Sequence, residues 1–259
     1  MPEDDAAGPA RRRMRRSTRR ARTDPQVRVS LLGAFALTVD GAARELPRGA
    51  RRLVALLGLH PRGLSRIAAA ERLAPHLEAA SAGATLRKTL TRVRATRLPL
   101  IRANGEMLRL HPGVAIDLWE AEALAARLAD HGQLLPEYGR HEVLTLVLLP
   151  GWEDDWAERA RTTTQGRFLC ALEVYARRLH SRGDRYQALT VCQQAWESDP
   201  LHESTVAALV GIHLASGDRG QALGAYDIFE RQLAATYELE PTERLRKLVA
   251  PLLAGRPRP

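Results

Sequence analysis

Cysteine is nearly absent. Cys170 and Cys192 are the two in 259 residues. A pair builds no disulfide framework and lacks the spacing of a metal site, so both are expected as small buried hydrophobes in a reduced protein. Aromatic residues make up 5% of the chain, and lysine occurs at Lys88 and Lys247 alone. The positive charge is therefore almost all arginine, which is largely a composition bias of the kind a GC-rich genome imposes. No apolar run approaches the roughly 18 residues needed to span a membrane. The arginine-rich start is followed by no hydrophobic segment, so it does not read as a secretory signal. These absences point to a cytoplasmic protein without a membrane partner. Catalytic signatures are missing as well. There is no phosphate-cradling glycine loop, no nucleophile-elbow serine and no Cys-x-x-Cys pair. His202-Glu203 opens like a zinc-protease motif, but Val206 stands where the second histidine ligand belongs. The reading is of a protein that is not an enzyme and carries no cofactor.

What is present is an uneven distribution of charge. The formal net charge is +9. Residues 1–25 hold eight arginines against four acids, with RRRMRR and RRAR and almost nothing apolar. Such a stretch buries no core and is expected to be a disordered basic tail. Residues 26–116 carry fifteen basic against five acidic groups, and residues 117–259 sixteen against twenty-one. A basic first half on an acidic second half argues for a polyanion partner on the first half only.

The first half reads as sheet, three helices, hairpin. Val27, Val29 and Leu31 alternate, as do Phe35, Leu37 and Val39, and the Asp40-Gly41 turn leads to a further strand at 44–46. A helix over 49–59 carries Leu53, Leu56 and Leu57. Ser65 caps a second helix with Ile67, Ala70 and Leu73 toward the core, stopped by Pro75. The third helix spans 84–97, with Leu86, Leu90 and Val93 at i, i+4, i+7. Its other side presents Lys88, Thr91 and Arg92, flanked by Arg87 and Arg94. Asn104-Gly105 between short apolar runs marks a hairpin that bears Arg102 and Arg109. This order is the layout of a winged helix-turn-helix, in which the third helix enters the major groove of double-stranded DNA and the wing reaches along the backbone or into the minor groove. Guanidinium, ammonium and hydroxyl groups on one helix face are the donors that grip phosphates and read base edges.

From Asp117 onward the pattern is helical. Leu118, Trp119, Ala121, Leu124 and Leu128 line one helix, and Trp152 and Trp156 read as aromatic anchors between helices. Residues 183–189 match residues 217–223 at six of seven positions, an offset of 34. That is the period of tetratricopeptide helix pairs. Each Gly-Asp turn joins two helices, Ala188 and Ala222 let them approach, and Pro200 and Pro241 stand where the second helix of each pair must stop. One pair cannot cover its own apolar face, so pairs stack.

Leu31-Leu32-Gly33, Leu86-Arg87 and Val93-Arg94 resemble the winged-helix domain of the Streptomyces antibiotic regulatory proteins. Residues 149–156 (LPGWEDDW), then 199–203 (DPLHE), 217–223 and 239–241, resemble the bacterial transcriptional activator domain that follows it in that family. The resemblance implies a mainly α fold. A winged helix-turn-helix with a small antiparallel sheet and wing occupies 26–116, and an all-α tetratricopeptide-like domain occupies 117–259. It implies a sequence-specific activator that binds direct repeats near promoters, pairs as a homodimer on DNA, contacts RNA polymerase and associates with the nucleoid. Carried over by position, Arg87, Lys88, Thr91, Arg92 and Arg94 are recognition-helix residues, and Arg102 and Asn104 belong to the wing. Ala74 stands where the family usually has tryptophan, and Glu106-Met107 replaces its usual Gly-Tyr. Those departures keep a second reading in view, a helical-repeat adaptor whose winged helix has become a protein-docking module.

Overall fold

The computed structural model describes residues 25–130 and 140–253. The expected basic tail, apart from Pro25, lies outside the described residues.

The chain opens with β1 (Val27–Ser30), β2 (Ala36–Val39) and β3 (Ala42–Ala43). Alternation sets the sheet's faces: Val27, Val29, Leu37 and Val39 are buried, while Arg28 and Thr38 lie between the core and solvent. β2 pairs antiparallel with both neighbours, with Val39 opposite Ala42 across the Asp40-Gly41 turn. The third strand is thus Ala42–Ala43, not 44–46, and Leu46 is buried just beyond its end. The sheet is also not purely antiparallel. β7 (Val114–Ile116) lies parallel on the free side of β1, giving the order β3-β2-β1-β7. At three residues β7 is too short to show an alternating signal.

Three helices follow: α1 (Arg48–Gly58), α2 (Arg66–Leu73) and α3 (Ala79–Ala95). The Ser65 hydroxyl caps α2 by accepting from the Ala68 N–H at 3.1 Å. Ile67, expected in the core, is 66% exposed. Ala69, Ala70 and Leu73 form the buried stripe of this short helix, so Ile67 falls on the outer face. A second sheet, ordered β4-β6-β5, joins β4 (Leu64–Ser65), β6 (Met107–Leu110) and β5 (Ile101–Asn104).

The rest is helical: α4 (Asp117–Ala129), a 3₁₀ turn at Arg140–Thr145, then α5 (Asp155–Ser181), α6 (Arg185–Ser198), α7 (Glu203–Ala215), α8 (Arg219–Tyr237) and α9 (Glu243–Leu253). The repeat expected from the sequence forms two packed pairs, α5 with α6 and α7 with α8. In each turn the aspartate caps the second helix: Asp184 accepts from the Gln187 N–H and Asp218 from the Gln221 N–H. Ala188 and Ala222 are fully buried where the helices meet. Cys192 is buried, as expected, and burial pushes its thiol up to about 12. Cys170 is exposed, a correction: it lies on the outer side of the long helix α5. Among the described residues no helix is long and apolar enough to cross a membrane.

The two halves share one continuous core. The Asp117 carboxylate, at the start of α4, accepts from the backbone N–H groups of Leu31, Leu32 and Leu118 at 2.8, 3.1 and 2.7 Å. Burial nevertheless raises its pKa above the usual carboxylate value, against the opposing effect of those bonds. The indole N–H of Trp119 donates to the Gly58 carbonyl at 2.7 Å, tying α4 to α1. Leu148 bridges to Leu32, and the Leu149 N–H donates to the Leu31 carbonyl at 2.8 Å. The tryptophans anchor more than helices. Trp152 packs edge-on to Trp156 at 5.9 Å and also meets Phe35 of the first half at 5.8 Å. Arg52 pairs with Asp154 beside them.

Candidate nucleic-acid interface

α3 starts five residues before the expected position 84 and ends at Ala95. Leu86, Leu90 and Val93 are all buried, packed toward α1 and α2. Each such side chain contributes roughly 1.5–3 kcal/mol by leaving water. Thr89 completes the seam, with its hydroxyl bonded to the Thr85 carbonyl at 2.9 Å. That fixes the rotation of the helix, so its opposite face is open.

On that face Arg87, Lys88, Thr91, Arg92 and Arg94 are all exposed. No acidic partner holds Arg87, Lys88, Arg92 or Arg94 among the described residues. Arg87, Thr91 and Arg94 follow one line at i, i+4, i+7, and α-helical rise puts the outer two about 10 Å apart along the axis. Thr91 differs from its expected role as a donor. Its hydroxyl donates to the Arg87 carbonyl at 3.1 Å, which leaves a lone pair and a methyl group facing outward. The N-terminal turns, Ala79 to Ala84, carry small side chains only, so this end of the helix is slender.

The hairpin lies where the Asn-Gly signal put it, with the turn shifted by one residue. Asn104 pairs with Met107, so Gly105 and Glu106 form the two-residue loop. Gly105 takes the first loop position at φ +56°, which favours glycine. Arg102 and Asn104 are both exposed on β5.

Sequence reasoning missed how the wing is fastened. β4 is two residues long and below any periodic signal. It pairs Leu64 with Leu108 and Ser65 with Met107. Beside it, the Arg66 N–H donates to the Glu106 carbonyl at 2.8 Å, and the Arg66 guanidinium to the Gly105 carbonyl at 3.1 Å. The start of α2 and the wing turn are thereby one unit. A Cβ at Gly63 would stand 2.5 Å from the Leu108 carbonyl oxygen, so that approach requires glycine. Arg66 is the wing-fastening residue that the sequence reading passed over. Its position directly after the capping serine was the available signal.

The sequence matches the family model described as the bacterial transcriptional activator domain over residues 110–253. No curated protein matches the chain. Among solved structures, the fold is similar to Mycobacterium tuberculosis EmbR, determined in complex with a low-affinity phosphopeptide. That match has 19% identity and a TM-score of 0.63, and covers 91% of this chain and 67% of the other. The similarity is one of fold: a helix-and-wing unit followed by stacked helices. The chain belongs to the bacterial transcriptional activator domain family, and is a transcriptional regulator of the type found in the Streptomyces antibiotic regulatory proteins.

Proposed function

We propose that the chain is a sequence-specific DNA-binding activator whose α3 enters the major groove. One observation carries this reading. The outer face of α3 is a row of cations without acidic partners among the described residues, on a helix whose other face is locked into the core. A major groove about 12 Å wide admits such a helix, and the slender N-terminal turns allow it a close approach. Residues 26–116 act as the DNA-binding unit and residues 117–259 as the activating one, pairing protomers on direct repeats near a promoter and contacting RNA polymerase. The working location is the cytoplasm, at the nucleoid.

In this mechanism arginines on α3 and the wing neutralise phosphates and supply most of the affinity, which falls as salt rises. Lys88 and Arg92 project from the middle of the open face, where two or three side chains read bases, each contributing roughly 1–3 kcal/mol of discrimination when bidentate. Arg87 and Arg94 flank them toward the backbone. Thr91 offers its methyl group to a thymine or its lone pair to a base amine. Arg102 and Asn104 hold the wing to the sugar-phosphate backbone, and Arg66 orients that wing. The expected outcome is that Arg92→Ala weakens binding to a specific site by about tenfold or more while affecting random DNA less, and that Arg102→Ala weakens both alike. Competition titrations on the two DNAs check it. Equal losses from Arg92→Ala would reduce that side chain to a phosphate contact.

A further inference from the structure

A cleft of about 1190 Å³ opens between the two halves, away from the outer face of α3. One wall is the first turn of α1 with the end of α2, and includes Arg48 and Arg72. The other is the turn at 151–155 with the start of α5, and includes Trp152, Trp156 and Arg159. Trp156 is 6% exposed, and its indole N–H finds no acceptor among the described residues. A buried donor left unpaired costs about 1–3 kcal/mol, so this group marks a place where an acceptor belongs. Three residues on, Arg159 projects from the same side of α5 as Trp156. Among the described residues neither Arg159 nor Arg48 has an acidic partner, whereas Arg52 is held by Asp154. The Trp152 ring, half-buried and edge-on to Trp156, supplies an aromatic surface.

The charges narrow the ligand class. Glu71, Glu153 and Asp155 also line the cleft, as does Asp154, which Arg52 holds. Their carboxylates disfavour a compact dianion such as phosphate, while a single carboxylate directed at the guanidinium groups is compatible with them. We propose that the cleft is a binding site for a flat aromatic monocarboxylate, with Trp156 and Arg159 on one wall and Arg48 on the other as its donors. The carboxylate accepts the indole N–H and a guanidinium, and the ring lies against Trp152. Because the walls belong to different halves, an occupant bridges the winged helix and the helical repeat. Its effect on operator binding rests on the function proposed above, but its binding does not.

Isothermal titration of the full chain, without DNA, tests the site. The probes are 1-naphthoate, its neutral counterpart 1-naphthamide, and inorganic phosphate. The expected result is saturable binding of 1-naphthoate with a dissociation constant of about 1 mM or tighter, the range for a ligand of this size. The amide and phosphate should bind about tenfold more weakly or not at all. Trp156→Phe, which keeps an aromatic ring and removes the donor, should weaken 1-naphthoate binding about five- to tenfold, and Arg159→Ala by a similar factor. Arg185→Ala, in the helical repeat, should leave it unchanged. Arg159 packs into no core, so its variant tests the site even if Trp156→Phe proves unstable. No saturable binding up to about 10 mM, equal affinity for acid and amide, or unchanged binding in both cleft variants would overturn the proposal.

Discussion

Glu173 lies buried in the helical repeat and accepts hydrogen bonds from the Ser204 hydroxyl at 2.6 Å and the Thr205 hydroxyl at 3.1 Å. His202 stands 3.4 Å away, and Arg177 lies at 3.0 Å. Burial alone would raise the carboxyl, but the bonds from His202, Ser204 and Thr205 outweigh it and hold the pKa below the usual value. The hydrogen bond to Glu173 in turn raises the His202 imidazole, with Asp199 adding a smaller pull in the same direction. The lowered carboxyl contributes stability above its unfolded pKa, lost as pH falls through its folded one. The raised imidazole contributes stability below the unfolded value of about 6.5, lost as pH rises through its folded one. The pair therefore stabilises α5 against α7 most between mildly acidic and neutral pH. Thermal melting from about pH 5 to 9 should show a decline on the alkaline side that His202→Gln flattens. Identical pH profiles for the two proteins would show that the pair is not coupled. The role that the sequence suggested only to reject, a zinc-protease opening at His202-Glu203, is replaced here by a structural one: His202 holds Glu173, and the Glu203 carboxylate accepts from the Thr242 N–H at 3.0 Å, linking α7 to the start of α9.

At the scale of elements, α3 shows what a sequence carries and what it omits. Leu86, Leu90 and Val93 named its buried face, because a helical period of 3.6 leaves one solution for three such residues. The open face followed from the same period. The true start did not, since residues 79–83 are small and polar or weakly apolar and carry no periodic signal. Ile67 failed for a related reason: in an eight-residue helix, one apolar residue on the outer face outweighs the pattern. The wing was legible from Asn104-Gly105, while its attachment through β4 and Arg66 was not, because cross-strand pairing of two residues leaves no local trace. The helix pairs at the Gly-Asp turns were legible because the same chemistry occurs twice. At the element scale the expected outcome is that Leu90→Ala, which empties a site 6% exposed, destabilises the fold by about 2–4 kcal/mol. Chemical denaturation measures that loss. An unchanged midpoint would mean that α3 is not seated on α1 and α2.

Across the whole molecule, charge and packing assign different work to the two halves. The basic half presents its cations on α3, the wing and the start of α2. The acidic half stacks helix pairs and contributes the turn at 151–155. They are joined through elements that no single window of sequence displays: the parallel pairing of β1 with β7, the Asp117 carboxylate over the end of β1, the Leu32–Leu148 bridge, and Arg52 with Asp154. Each of these contacts closes a long stretch of chain, which is why the tryptophans at 152 and 156 read from sequence as helix anchors and turn out to seat one half on the other. The shared core runs without a break from the seat of α3 into the acidic helical half.

The most direct test of the central claim is selection of bound duplexes from a random DNA pool by the full chain, at about 150 mM salt with excess competitor, where phosphate contacts alone bind weakly. The account predicts an enriched motif that Arg92→Ala degrades, with a repeat in the motif giving the spacing of paired protomers. A folded protein that enriches no sequence would contradict it.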